Sequence, residues 1–420
     1  MNVLILGSGG REHAFALKIH ESPLCDKLFV APGNAGTAQL ATNCKIDILD
    51  FEAVKHIILE HEIDVLLVGP EAPLVEGIAD YFAQDLPELL VIGPSKAGAM
   101  LEGSKAFAKK FMLEYSIPTA AYIEIDSSNI NKGFQYIDQH QGPYVLKADG
   151  LAAGKGVLII KDPKEAKENL SDMLQGRFGA ASKKVVIEEF LDGIEFSMFV
   201  LTDGQYYALL PMAKDYKRIG EGDTGPNTGG MGAVSPVPFV DTEMLSKVKK
   251  QIILPTLSGL QKRKIDYQGF IFFGLISVDG EPKVIEYNCR MGDPETEVVL
   301  PRLENDLLEL FVALRDQELY EKSIIKKQGY ATTVVMVSGG YPGRYQKGYE
   351  IQGINQVKDS IVYHAGTINT NGTLMTNGGR VLAVTSFDES IDGAVQKSLA
   401  NARSIEFKDK NYRKDIGFDL

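Results

Sequence analysis

Val284-Ile-Glu-Tyr-Asn-Cys-Arg-Met-Gly-Asp-Pro-Glu-Thr-Glu297 is the stretch from which the rest of the chain can be interpreted. It opens with β-branched and aromatic residues, which predict a strand. Because side chains alternate along a strand, Val284, Glu286, Asn288 and Arg290 are expected to share one face. Carboxylate and amide oxygens suit Mg²⁺ bound together with phosphates, and a guanidinium suits a phosphate or carboxylate. The alternative is a half-buried strand with a solvated polar face.

Composition describes a globular chain of 420 residues, enough for roughly two to four domains. The net charge of −12 argues against nucleic-acid or anionic-membrane partners. Three widely spaced cysteines form no disulfide framework and favour a reducing compartment. The amino terminus shows no leader pattern, and no apolar run reaches the ~18 residues of a membrane span. These features predict a cytoplasmic protein.

Residues 1–103 show four short apolar strands alternating with helical patterns, which predicts a doubly wound parallel sheet. Each strand runs into a glycine-containing loop, and the carboxyl ends of parallel strands form the edge where ligands bind. Residues 7–12 form an incomplete dinucleotide fingerprint, and Val30-Ala-Pro32 offers no acid for a ribose. NAD is therefore not expected, whereas a small phosphorylated ligand at the helix start remains plausible. Tight turns are the alternative explanation for these glycines, but they do not explain Asn34 and Glu71 beside them.

Residues 143–160 predict a strand, a glycine-rich loop and a second strand, which differs from a Walker motif. Such a loop can fold over phosphates, with charge added by Lys147, Lys155 and Lys105 near a helix start capped by Ser104. A long mobile hairpin loop is the alternative. Downstream, Glu188 or Glu189 is expected to accept from an adenine amino group. The Phe190–Leu191 backbone would read the ring edge, and Glu195 would hold ribose hydroxyls.

Residues 212–232 predict a long loop with few core-forming residues, of the kind that closes on a small charged substrate. Asp215 in this loop is the candidate for recognising an amine. Residues 270–278 are predicted to pair with the strand of the opening stretch through the turn Asp279-Gly280.

In this order, Lys105, Lys147, the 149–156 loop, residues 188–195 and Glu286-Asn288-Arg290 resemble the ATP-grasp enzymes. Residues 7–12, 32–34, 69–71, the Asp215 loop, 288–295 and 378–380 narrow the resemblance to the phosphoribosylamine–glycine ligase (glycinamide ribonucleotide synthetase) family of purine biosynthesis. The similarity covers essentially the whole chain.

The resemblance implies a reaction in which ATP phosphorylates glycine to glycyl phosphate. The amine of 5-phosphoribosylamine then attacks, giving glycinamide ribonucleotide, ADP and phosphate. Glu286 and Asn288 would bind Mg²⁺ (or Mn²⁺), while Arg290 and Asp215 would be catalytic, with Asp215 pairing with the glycine ammonium. Many ATP-grasp enzymes carry a further metal carboxylate roughly where Gly274 stands here, so the ligands of a second metal stay open.

The remaining assignments fall into two groups. The ATP-binding residues expected are Lys105, Lys147, Lys155, Gly156, Glu188, Glu189, Phe190, Leu191 and Glu195. The substrate-binding residues expected are Gly9, Gly10, Arg11, Glu12, Asn34, Glu71, Asp215 and Asp293.

The expected architecture combines α/β and α+β domains. It has an N-terminal Rossmann-like domain (1–103), an ATP-grasp domain (104–325) with a mobile lid at about 120–191, and a small C-terminal α+β domain (326–420). A monomer is expected. The rival within the class is another ATP-grasp carboxylate–amine ligase or carboxylase of purine biosynthesis. Rivals from other classes are a dinucleotide-binding dehydrogenase and a nucleotide-binding regulator.

Overall fold

A five-stranded parallel sheet organises the N-terminal region of the computed structural model, which describes residues 1–152 and 156–420. Its strands are β1 (Asn2–Gly7), β2 (Lys27–Pro32), β3 (Thr42–Asn43), β4 (Val65–Val68) and β5 (Leu90–Ile92). They lie in the order β3-β2-β1-β4-β5. The accompanying helices are α1 (Gly10–His20), α2 (Phe51–Glu60), α3 (Glu71–Glu76), α4 (Ile78–Asp85) and α5 (Lys96–Gly103).

The alternating side chains of β1 enter two different cores. Val3 and Ile5 pack in the same core as Phe15 of α1, whereas Leu4 and Leu6 pack in the same core as Val54 of α2. Helices therefore cover both faces of the sheet, which confirms the predicted doubly wound arrangement.

The next segment forms a separate antiparallel sheet with its own small core. Its elements are α6 (Lys105–Glu114), β6 (Tyr122–Asp126), α7 (Ile130–Gln139), β7 (Tyr144–Ala148), β8 (Val157–Ile160), α8 (Pro163–Asp172) and β9 (Lys184–Glu189). The strands lie in the order β6-β9-β7-β8. This sheet corresponds to the predicted lid, and its mobility stays a prediction.

Eight strands and four helices follow between residues 194 and 315. The strands are β10 (Ile194–Thr202), β11 (Tyr207–Leu209), β12 (Lys214–Asp215), β13 (Arg218–Gly220), β14 (Thr224–Asn227), β15 (Gly232–Ser235), β16 (Gly269–Val278) and β17 (Glu281–Asn288). The helices are α9 (Thr242–Val248), α10 (Leu254–Lys262), α11 (Thr296–Val299) and α12 (Leu307–Arg315). An antiparallel sheet in the order β11-β10-β16-β17 forms the centre of this part. The predicted turn at Asp279-Gly280 is confirmed, with φ values of 51° and 79°.

The C-terminal region adds β18 (Tyr330–Val337), β19 (Ser360–His364), β20 (Thr367–Thr370), β21 (Thr373–Thr376), β22 (Arg380–Asp388) and α13 (Ile391–Ser404). Its main sheet has the order β12-β15-β18-β22-β19. Two of its strands thus come from the middle of the chain. The prediction that residues 212–232 form a single loop is wrong, because Lys214–Asp215 pairs with β15 and β13 pairs with β14.

None of the helices in residues 1–152 and 156–420 combines the length and apolar character that a membrane crossing requires.

Candidate active site

A β-bulge sets the orientation of the side chains at the end of β17. Gly274 of β16 lies opposite Glu286, but the next residue, Leu275, lies opposite Val284, so Ile285 is an extra residue. The extra residue reverses the alternation of faces. Val284 therefore lies in a hydrophobic core, and the prediction that it shares the face of Glu286 is wrong.

Glu286 and Asn288 offer the donor set of a magnesium site. The buried amide nitrogen of Asn288 has no hydrogen-bond partner within the described residues. Across 1–152 and 156–420, no group of three or more His, Cys, Asp or Glu side chains is arranged to hold a metal. A single carboxylate with an amide suits Mg²⁺, which usually binds one or two protein groups plus substrate phosphates. The two residues therefore fit the predicted cation.

Two carboxylates from the N-terminal region hold Arg290. Its Nη2 lies 2.7 Å from Oε1 of Glu102, and its Nε lies 3.4 Å from Oε2 of Glu71. Burial alone would lower the pKa of Arg290, but these two carboxylates raise it above its usual value. Glu102 also accepts from the backbone N–H of Cys289 at 2.8 Å. The guanidinium is thus fixed in position before any ligand binds.

Two of the lysines predicted to bind phosphates, Lys105 and Lys147, lie at the junction between the lid and the central sheet. Lys147 donates to the carbonyl of Ile285 at 3.2 Å, next to Glu286. Burial lowers the pKa of Lys105, and the charge of Glu286 opposes that shift. Lys105 and Lys147 therefore share the surroundings of the candidate metal ligands.

Glu188 is engaged inside the protein. Its carboxylate lies 3.0 Å from Lys147 and 3.2 Å from Lys109, and the residue is 4% exposed. Burial lowers the pKa of Lys109 to about 8, although Glu188 opposes the shift. Glu188 thus neutralises two buried lysines, which argues against the predicted contact with an adenine amino group.

The residues after Glu188 lie at the surface. Glu189 is exposed and accepts from the backbone N–H of Ala121 at 3.0 Å. Phe190 is 40% exposed and Leu191 is half-buried. Gly156 is buried, and its carbonyl accepts from Ala148 at 2.8 Å. Lys155 lies outside the described residues.

Asp215 on β12 belongs to a cluster of charges with Glu195 on β10 and Lys217 just after β12. Lys217 lies 2.8 Å from Glu195 and 3.9 Å from Asp215. Burial raises the pKa of Asp215, with Lys217 opposing the shift and Glu195 adding to it. Partial burial alone would lower the pKa of Lys217, but Asp215 and Glu195 raise it well above its usual value. Glu195 is therefore already paired with a protein ammonium, where the sequence suggested a ribose contact.

Two further carboxylates follow in the opening stretch. Glu295 is 3% exposed, and burial together with the charge of Asp215 raises its pKa to about 8. Glu297 is 1% exposed and approaches the backbone of Gly10, where a side chain would collide with it. Burial and the charge of Asp293 raise the pKa of Glu297 well above its usual value. Both groups therefore favour the protonated form at this site.

The glycine-rich start of α1 borders an open pocket of about 390 Å³. Its lining includes Gly9, Arg11, Pro32, Asp47 and Asp293. The ends of β1 and β2 and the end of the opening stretch (residues 284–297) therefore meet at this pocket. Such an edge of a parallel sheet is where ligands are expected to bind.

Glu12 and Asn34 hold the walls of this pocket in place. Glu12 is 2% exposed and accepts from Gly9 N–H and from Arg11 Nε, each at 2.6 Å. The amide of Asn34 donates to the carbonyls of Ser8 and His364. Its oxygen accepts from the backbone N–H groups of Gly36 and Thr37. All four hydrogen bonds of the Asn34 amide are used, so the predicted direct substrate contact by Asn34 disagrees with this structure.

Asp293 connects the pocket to the C-terminal region. Its carboxylate lies 3.0 Å from Nη1 of Arg380, which also donates to the carbonyls of Asp293 and Gly229. Through Arg380, the C-terminal sheet therefore holds Asp293, which lines the pocket, in position.

Three domain models of one protein family match successive parts of the chain. The phosphoribosylglycinamide synthetase N domain matches residues 1–102, the ATP-grasp (A) domain matches residues 103–296, and the C domain matches residues 331–419. The chain belongs to the phosphoribosylglycinamide synthetase family. Its ATP-grasp domain confirms the predicted class of ATP-dependent ligase.

Curated relatives of this phosphoribosylglycinamide synthetase family member span the whole chain. Proteins named phosphoribosylamine–glycine ligase from Yersinia pestis and Haemophilus influenzae are each 46% identical over 100% of this chain and 98% of their own length. Membership of this family favours the glycine ligase over the carboxylase rival.

Two solved structures have folds similar to that of this chain. The crystal structure of phosphoribosylamine–glycine ligase from Thermotoga maritima matches with a TM-score of 0.85 at 35% identity, over 99% of this chain and 100% of that one. The biotin carboxylase domain of Hydrogenobacter thermophilus 2-oxoglutarate carboxylase matches with a TM-score of 0.73 at 16% identity, over 97% and 90% of the two chains. The second match shows the ATP-grasp fold alone.

Sequence reasoning missed several residues that shape the site in this family member. Lys217 is two positions from Asp215, so strand alternation would have placed the two side chains together. Glu295 lies within the stretch quoted first. The carboxylates of Asp293 and Glu297, two positions away on each side, indicate an acidic cluster there. Glu102 and Lys109 have no such signal, because nothing in the sequence of their helices shows that these charged residues are buried and paired with Arg290 and Glu188.

Proposed function

We propose that this protein joins glycine to 5-phosphoribosylamine in an ATP-dependent step of purine biosynthesis, giving glycinamide ribonucleotide, ADP and phosphate. Full-length similarity to proteins named phosphoribosylamine–glycine ligase carries this proposal. The arrangement of Arg290, Glu286, Asn288 and Asp215 supports it. It combines a guanidinium held by two carboxylates, oxygens of the type that bind Mg²⁺ and a carboxylate suited to pair with an amine.

ATP would bind between the lid and the central sheet. Lys105, Lys147, Lys155 and the backbone at Gly156 would contact its phosphates, and the surface residues 189–191 would contact the adenine. Glu286 and Asn288 would hold Mg²⁺, with Mn²⁺ as the alternative. The cation would neutralise charge on the β- and γ-phosphates. The ion pairs of Glu188 with Lys147 and Lys109 support a role in orienting these lysines rather than contacting the base.

Arg290 would act during both chemical steps. A glycine carboxylate oxygen attacks the γ-phosphorus and ADP departs, which forms glycyl phosphate. The amine nitrogen of phosphoribosylamine then attacks the acyl carbon, loses a proton and displaces phosphate. Because Glu102 and Glu71 fix the guanidinium beforehand, it would stabilise developing negative charge without reorganising. Asp215 would pair with the ammonium group of glycine.

The ribose phosphate would lie in the pocket at the start of α1. Backbone N–H groups at a helix amino terminus favour an anion; α1 begins at Gly10, and Gly9 and Arg11 line the pocket there. Asp293 would face the sugar. Glu12 and Asn34 would keep this pocket in shape through their own hydrogen bonds rather than contact the substrate.

We also propose domain boundaries at 1–103, 104–325 and 326–420, and a monomeric enzyme that acts in the cytoplasm. The three family matches support the boundaries. Free cysteines at Cys25, Cys44 and Cys289 are consistent with a reducing compartment.

The test is ADP release with Mg²⁺, ATP, glycine and freshly generated phosphoribosylamine, with each component omitted in turn. The expected result is that ADP and glycinamide ribonucleotide form together only in the full mixture. If ADP appears instead with bicarbonate and an aminoimidazole ribonucleotide, the carboxylase rival is correct. Absence of ADP in both mixtures would contradict the ligase assignment for a folded protein.

A further inference from the structure

A second cleft, of about 840 Å³, lies far from the candidate active site. It is bordered by β11, α10 and residues 320–326. Strand β11 is one edge of the central sheet and β17 is the other, so two strands separate the cleft from Glu286. None of the residues that line the cleft has a role in the proposed reaction.

The charges lining this cleft all have one sign. Lys249, Lys322 and Lys326 line it, and its lining contains no Asp or Glu. Within the part of the chain that the structure describes, none of these three lysines forms an ion pair with a carboxylate. The chain as a whole carries 56 acidic and 44 basic residues, so a cleft lined only by cations is unusual for this surface. It produces a local positive potential that attracts anions.

Lys326 is the most constrained of the three cations. Burial lowers its pKa, and repulsion from Arg302 and Lys249 lowers it further. Arg302 is 5% exposed, and its Nε has no hydrogen-bond partner in residues 1–152 and 156–420. An anion bound beside Lys326 would therefore relieve repulsion between this half-buried lysine and its cationic neighbours, rather than replace an existing ion pair.

The other side of the cleft is aromatic and apolar. The rings of Tyr206 and Tyr320 are 4.7 Å apart, with an angle of 46° between their planes. Tyr320 is 61% exposed and Leu254 is 48% exposed, which is high for large apolar side chains. A planar ring could pack against this wall while an attached anionic group reached the lysines.

From these observations, we propose that the cleft binds a phosphorylated aromatic small molecule of the nucleoside monophosphate class. The tyrosine wall would contact the ring and the lysines would contact the phosphate. The volume falls within the usual range for small-molecule sites. This site is independent of the proposed reaction, and its test does not rely on catalytic activity.

Pyridoxal 5′-phosphate is a suitable probe, because it combines an aromatic ring, a phosphate and an aldehyde that forms an imine with a deprotonated lysine. The full-length protein is treated with the probe in the absence of nucleotide. Borohydride then fixes the imine, and peptide mass mapping locates it. 5-Deoxypyridoxal, which has the same aldehyde but neither the phosphate nor a hydroxyl that can close on the aldehyde, is the matched reagent. We expect the phosphorylated probe to label Lys326 about tenfold faster than 5-deoxypyridoxal does, with saturation.

Competition and variants complete the test. AMP should protect Lys326 and adenosine should not. Lys249→Gln should reduce the preference for the phosphorylated probe at Lys326, and Tyr206→Leu should weaken protection by AMP. Lys132→Gln, which changes an exposed lysine on α7, should leave both unchanged. Equal labelling of Lys326 by the two aldehydes, or a failure of AMP to protect it, would overturn the proposal.

Discussion

The carboxylate of Glu286 is the single side chain on which the metal assignment depends most. We expect Glu286→Gln to reduce kcat for ADP release by at least about a hundredfold, because the neutral amide binds a divalent cation weakly. Its melting temperature should stay near that of the parent, since the residue is half-buried at the end of a strand. The matched control is Glu281→Gln on the exposed start of the same strand. Near-normal turnover in Glu286→Gln would refute the assignment.

Glu102 is expected to act through Arg290. Glu102→Gln keeps the shape of the side chain but removes a buried counter-charge, so we expect a loss of roughly 2–4 kcal/mol in the free energy of unfolding. kcat should fall as well, because the guanidinium loses its shorter ion pair. Urea denaturation and steady-state kinetics measure the two effects. Glu114→Gln breaks an exposed ion pair with Arg263 and should cost less than about 1 kcal/mol. Equal losses in the two variants would contradict this role.

Glu295 makes stability depend on pH in a defined direction. Its pKa rises from 4.5 in the unfolded chain to about 8 in the folded protein, chiefly through burial. Between these values the folded protein holds a proton that the unfolded chain has released, so the free energy of unfolding falls as pH rises through this window. We expect Glu295→Gln to show a shallower fall between pH 5 and pH 8. Parallel curves for variant and parent would show that Glu295 ionises normally.

At the level of single residues, the types of side chain in the site could be predicted from the sequence, but most of their contacts with other protein groups could not. Residue type and spacing placed Glu286, Asn288 and Arg290 near one another. They did not show that Glu188 and Asn34 already have protein partners, because those partners lie far away in the sequence. For Asn34, the decisive partner is a carbonyl 330 residues later.

Strand β15 is the element that holds Asp215 in place, because it pairs directly with β12, the strand that carries Asp215. A side chain on Gly232 would approach the carbonyl of Thr333 to 2.6 Å, where backbone cannot easily move. We expect Gly232→Ala to lower the free energy of unfolding by about 1–3 kcal/mol. It should raise KM for glycine more than KM for ATP, because β15 pairs with the strand that carries Asp215, whereas Lys105 and Lys147 lie on other elements. Equal changes in both KM values would argue against this link.

Elements that contact neighbours in sequence were predictable, and those with distant partners were not. The β16–β17 hairpin follows from Asp279-Gly280 and alternating residues. The bulge at Ile285 leaves no sequence signal, because it depends on how β16 fits beside it. The pairing of β15 with β18 likewise depends on tertiary contacts that composition does not encode.

Across the whole molecule, Asn34 connects the N-terminal sheet to β19 of the C-terminal region. Asn34→Ala would leave two carbonyls and two N–H groups without partners, so we expect a loss of about 2–4 kcal/mol in the free energy of unfolding. Chemical denaturation measures this effect. If Asn34 were instead a substrate ligand, the variant would raise KM for phosphoribosylamine and leave stability unchanged.

The composite C-terminal sheet also constrains how the chain can be made. Strands β12 and β15 leave the ribosome well before β18. They join the C-terminal sheet only through the pairing of β15 with β18. At about 5–20 residues per second, the distance from Ser235 to Tyr330 corresponds to roughly 5–20 s of translation. During that interval the edge of β15 that pairs with β18 has no partner, and it offers a binding site for chaperones or for other nascent chains. A gene split at residue 325 would make this exposure permanent in the first fragment, unless the second fragment were supplied at the same time.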